Sequence, residues 1–171
     1  MHLSKKKFKY IRDKLIVVSP KVKKAYNNQF DRIDEFLSCG DTQPAIVKSV
    51  EPLIISAYSD ELDAVIFLRF PDVLVDKYKL KIDDRLVTSN IYERYLDGFE
   101  KDISPGDFWL GRYSNYNPLV QLFLSDEEDF IRKRIELFDE DKWKRVEMLT
   151  QEKHNNGKFV CRYGFYCFNR Y

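Results

Sequence analysis

Apolar positions along the chain follow two different rhythms. Over the first forty residues the rhythm is helical. Phe8, Ile11, Leu15 and Val18 fall on one helix face. Ser19-Pro20 then reads as a restart, with Ser as N-cap and Pro at the first helical position, where its missing N–H costs nothing. Val22, Tyr26, Phe30, Ile33 and Leu37 carry the same spacing onward. Gly40 supplies a stop, since glycine accepts positive φ.

After Pro44 the runs become short, continuous and rich in β-branched and aromatic residues. PLIISAYS and AVIFLRF flank the polar stretch around Asp60, Glu61 and Asp63, which predicts a β-hairpin from Leu53 to Phe70. Both arms are almost wholly apolar, so the hairpin is expected to lie centrally, covered on both faces. PDVLVDKY predicts a short helix opened by Pro71, and RLVTSNIY a strand. Residues 97–117 hold no period and read as a long loop. PLVQLFL predicts another strand. SDEE at 125–128 has the form of a capping box, followed by a helix with Phe130, Ile131, Ile135 and Phe138 inward. Asp139-Glu140-Asp141 opens a second helix, burying Trp143, Val146 and Leu149 or Thr150 and ending at His154–Gly157.

Residues 158–171, KFVCRYGFYCFNRY, alternate at period two. Phe159, Cys161, Tyr163, Phe165 and Cys167 form an apolar face, the mark of a half-buried closing strand. In one strand Cys161 and Cys167 would stand about 20 Å apart, too far for a disulfide. A break at Gly164 would bring them together.

Strands adjacent in sequence, with helices segregated around them, define an α+β class. The expected architecture is a single domain over 1–171. It has a mainly antiparallel sheet of about five strands, two N-terminal helices and two helices before the last strand. Residues 1–40 form a basic helical segment packed on 45–171.

Charge changes this picture more than composition does. The total is +1, but residues 1–24 carry nine basic side chains and one acid, a net of +8, leaving −7 for the rest. The basic end suits an anionic partner. The longest apolar run there, Leu15–Val18, is far short of a membrane span or secretory core, so no membrane role is expected. Three scattered cysteines suit free thiols and a cytoplasmic location.

Catalytic chemistry finds little purchase. Cys161 and Cys167 lack metal-knuckle spacing, and His2 and His154 add no ligand cluster. There is no G-x-S-x-G elbow and no phosphate-binding glycine loop. Carboxylates at Asp83, Asp84, Asp102 and Asp107, with the turn acids, admit a Mg²⁺-dependent hydrolase as a third reading. No cofactor is expected.

The leading expectation is a non-catalytic binding protein, immunity- or adaptor-like, whose partner is another protein; a basic toxin or nuclease fits the −7. Its contact surface would be the loop 104–117, with Trp109, Arg112, Tyr113 and Tyr116, and the turn acids Asp60, Glu61 and Asp63. Phe108 and Leu110 are expected to fold back on the core. The alternative is a nucleic-acid-associated protein using Lys5, Lys6, Lys7, Lys9, Lys21, Lys23 and Lys24.

Overall fold

The first helix, α1 (Lys5–Tyr10), starts where Ser4 Oγ accepts from the Lys7 amide. It runs on as a π-type turn, Ile11–Leu15, closed by Ile16 N–H donating to Ile11 O at 3.0 Å. Phe8 and Ile11 are buried, on the face the spacing predicts. The computed structural model describes residues 1–16, 29–94, 98–156 and 160–166. The expected restart at Ser19-Pro20, with Val18, Val22 and Tyr26, lies outside them. Helix α2 (Phe30–Cys39) buries Ile33 and Leu37, and Phe30 meets Phe8 edge-on at 5.2 Å. Gly40 ends it for a different reason than expected. Its φ is −64°, and a Cβ there would sit 2.6 Å from Phe36 O and 2.9 Å from Ser89 Cβ. Close approach, not backbone handedness, requires the glycine.

Among the described residues six strands form one mixed sheet: β1 (Asp41–Val50), β2 (Leu53–Ser59), β3 (Ala64–Arg69), β4 (Arg85–Arg94), β5 (Tyr113–Val120) and β6 (Cys161–Tyr163). Their order is β5-β4-β1-β2-β3-β6, antiparallel except where β6 runs parallel to β3. The β2–β3 hairpin is where the sequence puts it, and both strands are buried almost throughout. Strand β1 is the addition. Gln43, Pro44, Lys48 and Ser49 interrupt its apolar pattern, although Gln43 to Val47 are all buried. Proline in a central strand has no N–H to offer. Pairing of β1 with β2 accordingly ends at Ala45, and Asn90 Nδ2 donates to Tyr58 O at 2.7 Å. Helix α3 (Val73–Tyr78) links β3 to β4. Strand β5 begins five residues before the predicted one, and its expected second half is instead the short helix α4 (Gln121–Leu124).

The sheet curls until its two edges approach each other. Tyr116 on β5 donates its hydroxyl to Ala57 O on β2 and Ala64 O on β3, at 2.7 and 3.1 Å. Arg162 on β6 donates from Nη1 to Tyr116 O at 2.9 Å. Register puts Ala45, Ala57 and Ile66 on one face, where they join the main core with Leu74, Phe123 and Phe165.

The opposite face, from Ile46, Tyr58 and Val65, is covered by α6 (Glu140–Asn155) through Trp143 and Val146. Val146 is fully buried, worth about 1.5–3 kcal/mol relative to exposure. Thr150 and Ser56 share a hydroxyl hydrogen bond of 2.7 Å beneath the helix. Asp139 caps α6 by accepting from the Lys142 amide at 2.8 Å. Helix α5 (Glu128–Glu136) departs from its predicted capping box: Ser125 Oγ accepts from the Glu127 amide, two residues on, and Phe130 is exposed while Ile131 is buried.

The closing segment is not one long strand. Strand β6 spans three residues, and the chain turns at Gly164-Phe165. Gly164 N–H donates to Arg69 O at 2.8 Å, and any Cβ on Gly164 would fall inside contact distance of the Phe70 ring. Phe165 then inserts beside Phe70, ring centroids 5.1 Å apart. Cys161 is half-buried, and burial pushes its thiol pKa up. Phe159 and Cys167 lie outside the described residues, and the pairing of Cys161 with Cys167 with them.

Candidate functional site

Asp63 closes the β2–β3 turn with φ of 47°, a left-handed conformation uncommon away from glycine. It is 1% exposed, and four donors converge on its carboxylate. Oδ1 accepts from Arg145 Nε at 3.0 Å and from Tyr58 OH at 3.3 Å. Oδ2 accepts from Arg145 Nη2 and from the Phe108 amide at 3.2 Å. A hairpin turn, helix α6 and the loop before β5 therefore meet at one buried charge. Bidentate guanidinium pairing of this kind fixes geometry as well as charge.

The loop lies along the turn in a defined register. Gly106 N–H donates to Leu62 O at 3.1 Å, and Leu110 N–H to Glu61 O at 3.2 Å. Arg112 Nη2 donates to Glu61 Oε1 at 2.6 Å. Gly106 has no room for a side chain, because a Cβ would collide with both the carboxylate and the backbone of Asp63. This arrangement holds Phe108 and Leu110 outward at 69% and 59% exposure. The Arg145 guanidinium lies over the Phe108 ring at 5.2 Å, and Lys142 Nζ over the Tyr58 ring at 5.1 Å. Between them is a groove of about 410 Å³, lined by Tyr58, Asp60, Glu61, Phe108, Leu110 and Lys142 among others.

The structure thus unites the two segments the sequence singles out, but it reassigns their side chains. Phe108 and Leu110, expected inside, are the exposed pair. Trp109, expected on the surface, is half-buried: it meets Phe99 edge-on at 4.8 Å and donates from Nε1 to Tyr113 O at 2.9 Å. Tyr113 stacks on Tyr92 at 4.9 Å. Tyr116 and Asp63 are interior and offer no contact surface. Burial pushes the phenol pKa values of Tyr116 and Tyr58 well up. Asp60, Glu61 and Arg112 remain on the rim. Sequence reasoning missed Lys142 and Arg145, which stand about eighty residues beyond the turn they complete. No local signal connects them.

A second buried pair lies near the other end of the loop. Asp102 takes Arg162 Nε and Nη2 at 2.6 and 2.7 Å, and Lys153 Nζ donates to the Asp102 and Val65 carbonyls. The remaining acids are dispersed: Asp83 pairs with Lys48, and Asp84 accepts from the Lys81 amide. Among the described residues no group of three or more His, Cys, Asp and Glu is placed to hold a metal ion.

Of the N-terminal cations, Lys5, Lys6 and Lys9 are exposed. Lys7 is not available to a partner. Its Nζ donates to Leu122 O and Ser125 O and lies 3.6 Å from Asp126, and burial lowers its pKa. Lys21, Lys23 and Lys24 lie outside the described residues. No described helix is long and apolar enough to cross a membrane. Compared with protein-family models, curated proteins and solved structures, the chain finds no match.

Proposed function

We propose that this protein acts in the cytoplasm by binding another protein, without catalysis, through loop residues 104–112 and the turn 60–63. One observation carries the proposal: a buried ion pair, Asp63–Arg145, holds an exposed phenylalanine in place. Folding alone gives no reason to fix Phe108 outward. Pre-organised aromatic anchors are what tight interfaces use, since little freedom is lost on binding. The charge around the groove favours a basic partner. Arg112 neutralises Glu61 and Arg145 neutralises Asp63. Among the described residues Asp60, Asp139 and the neighbouring Asp107 have no ion pair, against a single ammonium at the groove, Lys142, which lies over the Tyr58 ring. An immunity- or adaptor-like role against a basic toxin or nuclease fits these features.

The test is a paired one. A protein recovered with the wild-type chain from its own cells is purified, and its affinity is measured for wild type and for the Phe108→Ala/Leu110→Ala variant. The expected result is at least a tenfold loss, with unchanged thermal unfolding. Equal affinity of the folded double variant would overturn the surface assignment.

A further inference from the structure

We infer a second interaction face, separate from the groove: the outer side of α1 and its π-type turn, together with Lys77 of α3, binds the phosphate backbone of duplex nucleic acid. Phe8 and Ile11 turn the inner side of α1 into the core. The outer side carries Lys5, Lys6, Lys9 and Lys14, all exposed, and none of them is ion-paired among the described residues. Other cations of the chain, Lys48, Arg85, Arg112, Arg145 and Arg162, each meet a carboxylate.

The fifth cation arrives through the fold. Lys77 Nζ sits 3.4 Å from the centre of the Tyr10 ring, bringing a charge from α3 against α1. The acids facing this region are Asp13, occupied by Arg12; Asp76, beside Lys77 on α3; and Asp126 and Glu128, which flank α1 at Lys7, where Asp126 pairs with the Lys7 ammonium at 3.6 Å.

The choice of partner follows from three features. The apolar side of α1 is already buried, so the helix cannot lie in a lipid interface on that side. Tyr10 carries Lys77 on its ring, which takes a face that a splayed base would need for stacking. What the face offers is ammonium groups. Lys5 and Lys9, one helical turn apart, are separated by about 6 Å along the axis, enough to reach separate phosphates of a strand that carries one charge per about 3.4 Å of duplex axis. Contacts of this kind are independent of base sequence.

The full chain is titrated against a fluorescein-labelled mixed-sequence DNA duplex by anisotropy. Five phosphate contacts give a log–log salt slope of about −4.5, so affinity should fall about 500-fold between roughly 50 and 200 mM salt. Lys6→Ala and Lys77→Ala should each reduce the slope by about 0.9. Lys142→Ala, at the groove, should leave it unchanged. The Phe108→Ala/Leu110→Ala variant should bind duplex normally, so the outcomes for the two faces are independent. Any of three results would overturn the inference: no binding at 50 mM salt, a slope unaffected by Lys6→Ala and Lys77→Ala, or binding only to phosphatidylserine vesicles.

Discussion

The loop between β4 and β5 is pinned at two points by the same chemistry, yet the pins serve different ends. At Asp102 and Arg162 both partners are withdrawn from water, with side-chain exposures of 7% and 16%. That pair ties the loop to β6 and, through Arg162, to the opposite edge of the sheet. At Asp63 and Arg145 the carboxylate is sealed at 1%, while the guanidinium keeps 24% of its surface in solvent and leans on an exposed ring. The first pair closes the fold. The second presents a surface. The exposure of the cation, rather than the hydrogen-bond count, separates the two roles.

The largest expected effects test that distinction directly. Removing one partner of a buried pair leaves an uncompensated charge and costs about 3–5 kcal/mol. Arg162→Met and Asp102→Asn should both fall in that range by urea denaturation. Arg145→Met should match them, because it strands Asp63. Asp63→Asn should cost less, about 1–3 kcal/mol, because Arg145 can turn to water. Equal costs for Asp63→Asn and Arg145→Met would erase the contrast.

Next comes Gly164→Ala, which crowds Phe70 where the closing segment turns. Overpacking of this kind costs about 1–3 kcal/mol, measurable as a lower denaturation midpoint at constant m-value. The wild-type cost should vanish in a Phe70→Leu background, which removes the ring.

The phenols extend the comparison to alkaline pH. Tyr58 belongs to the Asp63 pin and Tyr116 adjoins Arg162; burial raises both, and it pushes Tyr78 up to about 12. A raised folded-state value means the unfolded chain releases its phenolic proton first. Stability is therefore full below pH 10 and declines as pH climbs beyond it, towards 12 for Tyr78. The slope should approach about 1.4 kcal/mol per pH unit for each such tyrosine. Tyr58→Phe should cost about 1 kcal/mol at neutral pH and flatten the alkaline decline.

Smallest in stability is Phe108→Ala, expected within about 0.5 kcal/mol of wild type by thermal unfolding. Gly106→Ala sharpens the point. It disturbs the Asp63 pin from beneath, so it should weaken partner binding even though Phe108 itself is untouched.

How legible these features were in the sequence depended on how local their causes are. The β2–β3 hairpin announced itself because both arms are apolar without interruption. Helix α6 did so through its Asp139 cap and the spacing of Trp143, Val146 and Thr150. Strand β1 stayed hidden because the pattern of Gln43-Pro44 is repaired by Asn90, some forty-five residues later. Among the described residues of 158–171 the alternation holds across the three residues of β6, but it said nothing of Phe70, whose ring leaves no room for a side chain at Gly164. The exchange of Phe108 for Trp109 has a similar origin. An indole needs an acceptor for its N–H, and Tyr113 O supplies one inside the loop. Phe108 makes no such demand and is left where Asp63 places it. The acidic turn and the loop were each visible, but their union required Arg145.

The capture of Tyr116 O by Arg162 also bears on what the chain does at high concentration. On the outer edge of β5 the Tyr116 amide is already taken by Asn115 Oδ1 at 2.9 Å, and the carbonyl by the guanidinium. A strand from another molecule seeking a template would find both groups occupied at that step, the carbonyl by a guanidinium that Asp102 holds in place. Unprotected edges invite polymerisation. Here the ion pair that closes the sheet also withdraws that step of the edge from pairing with another copy.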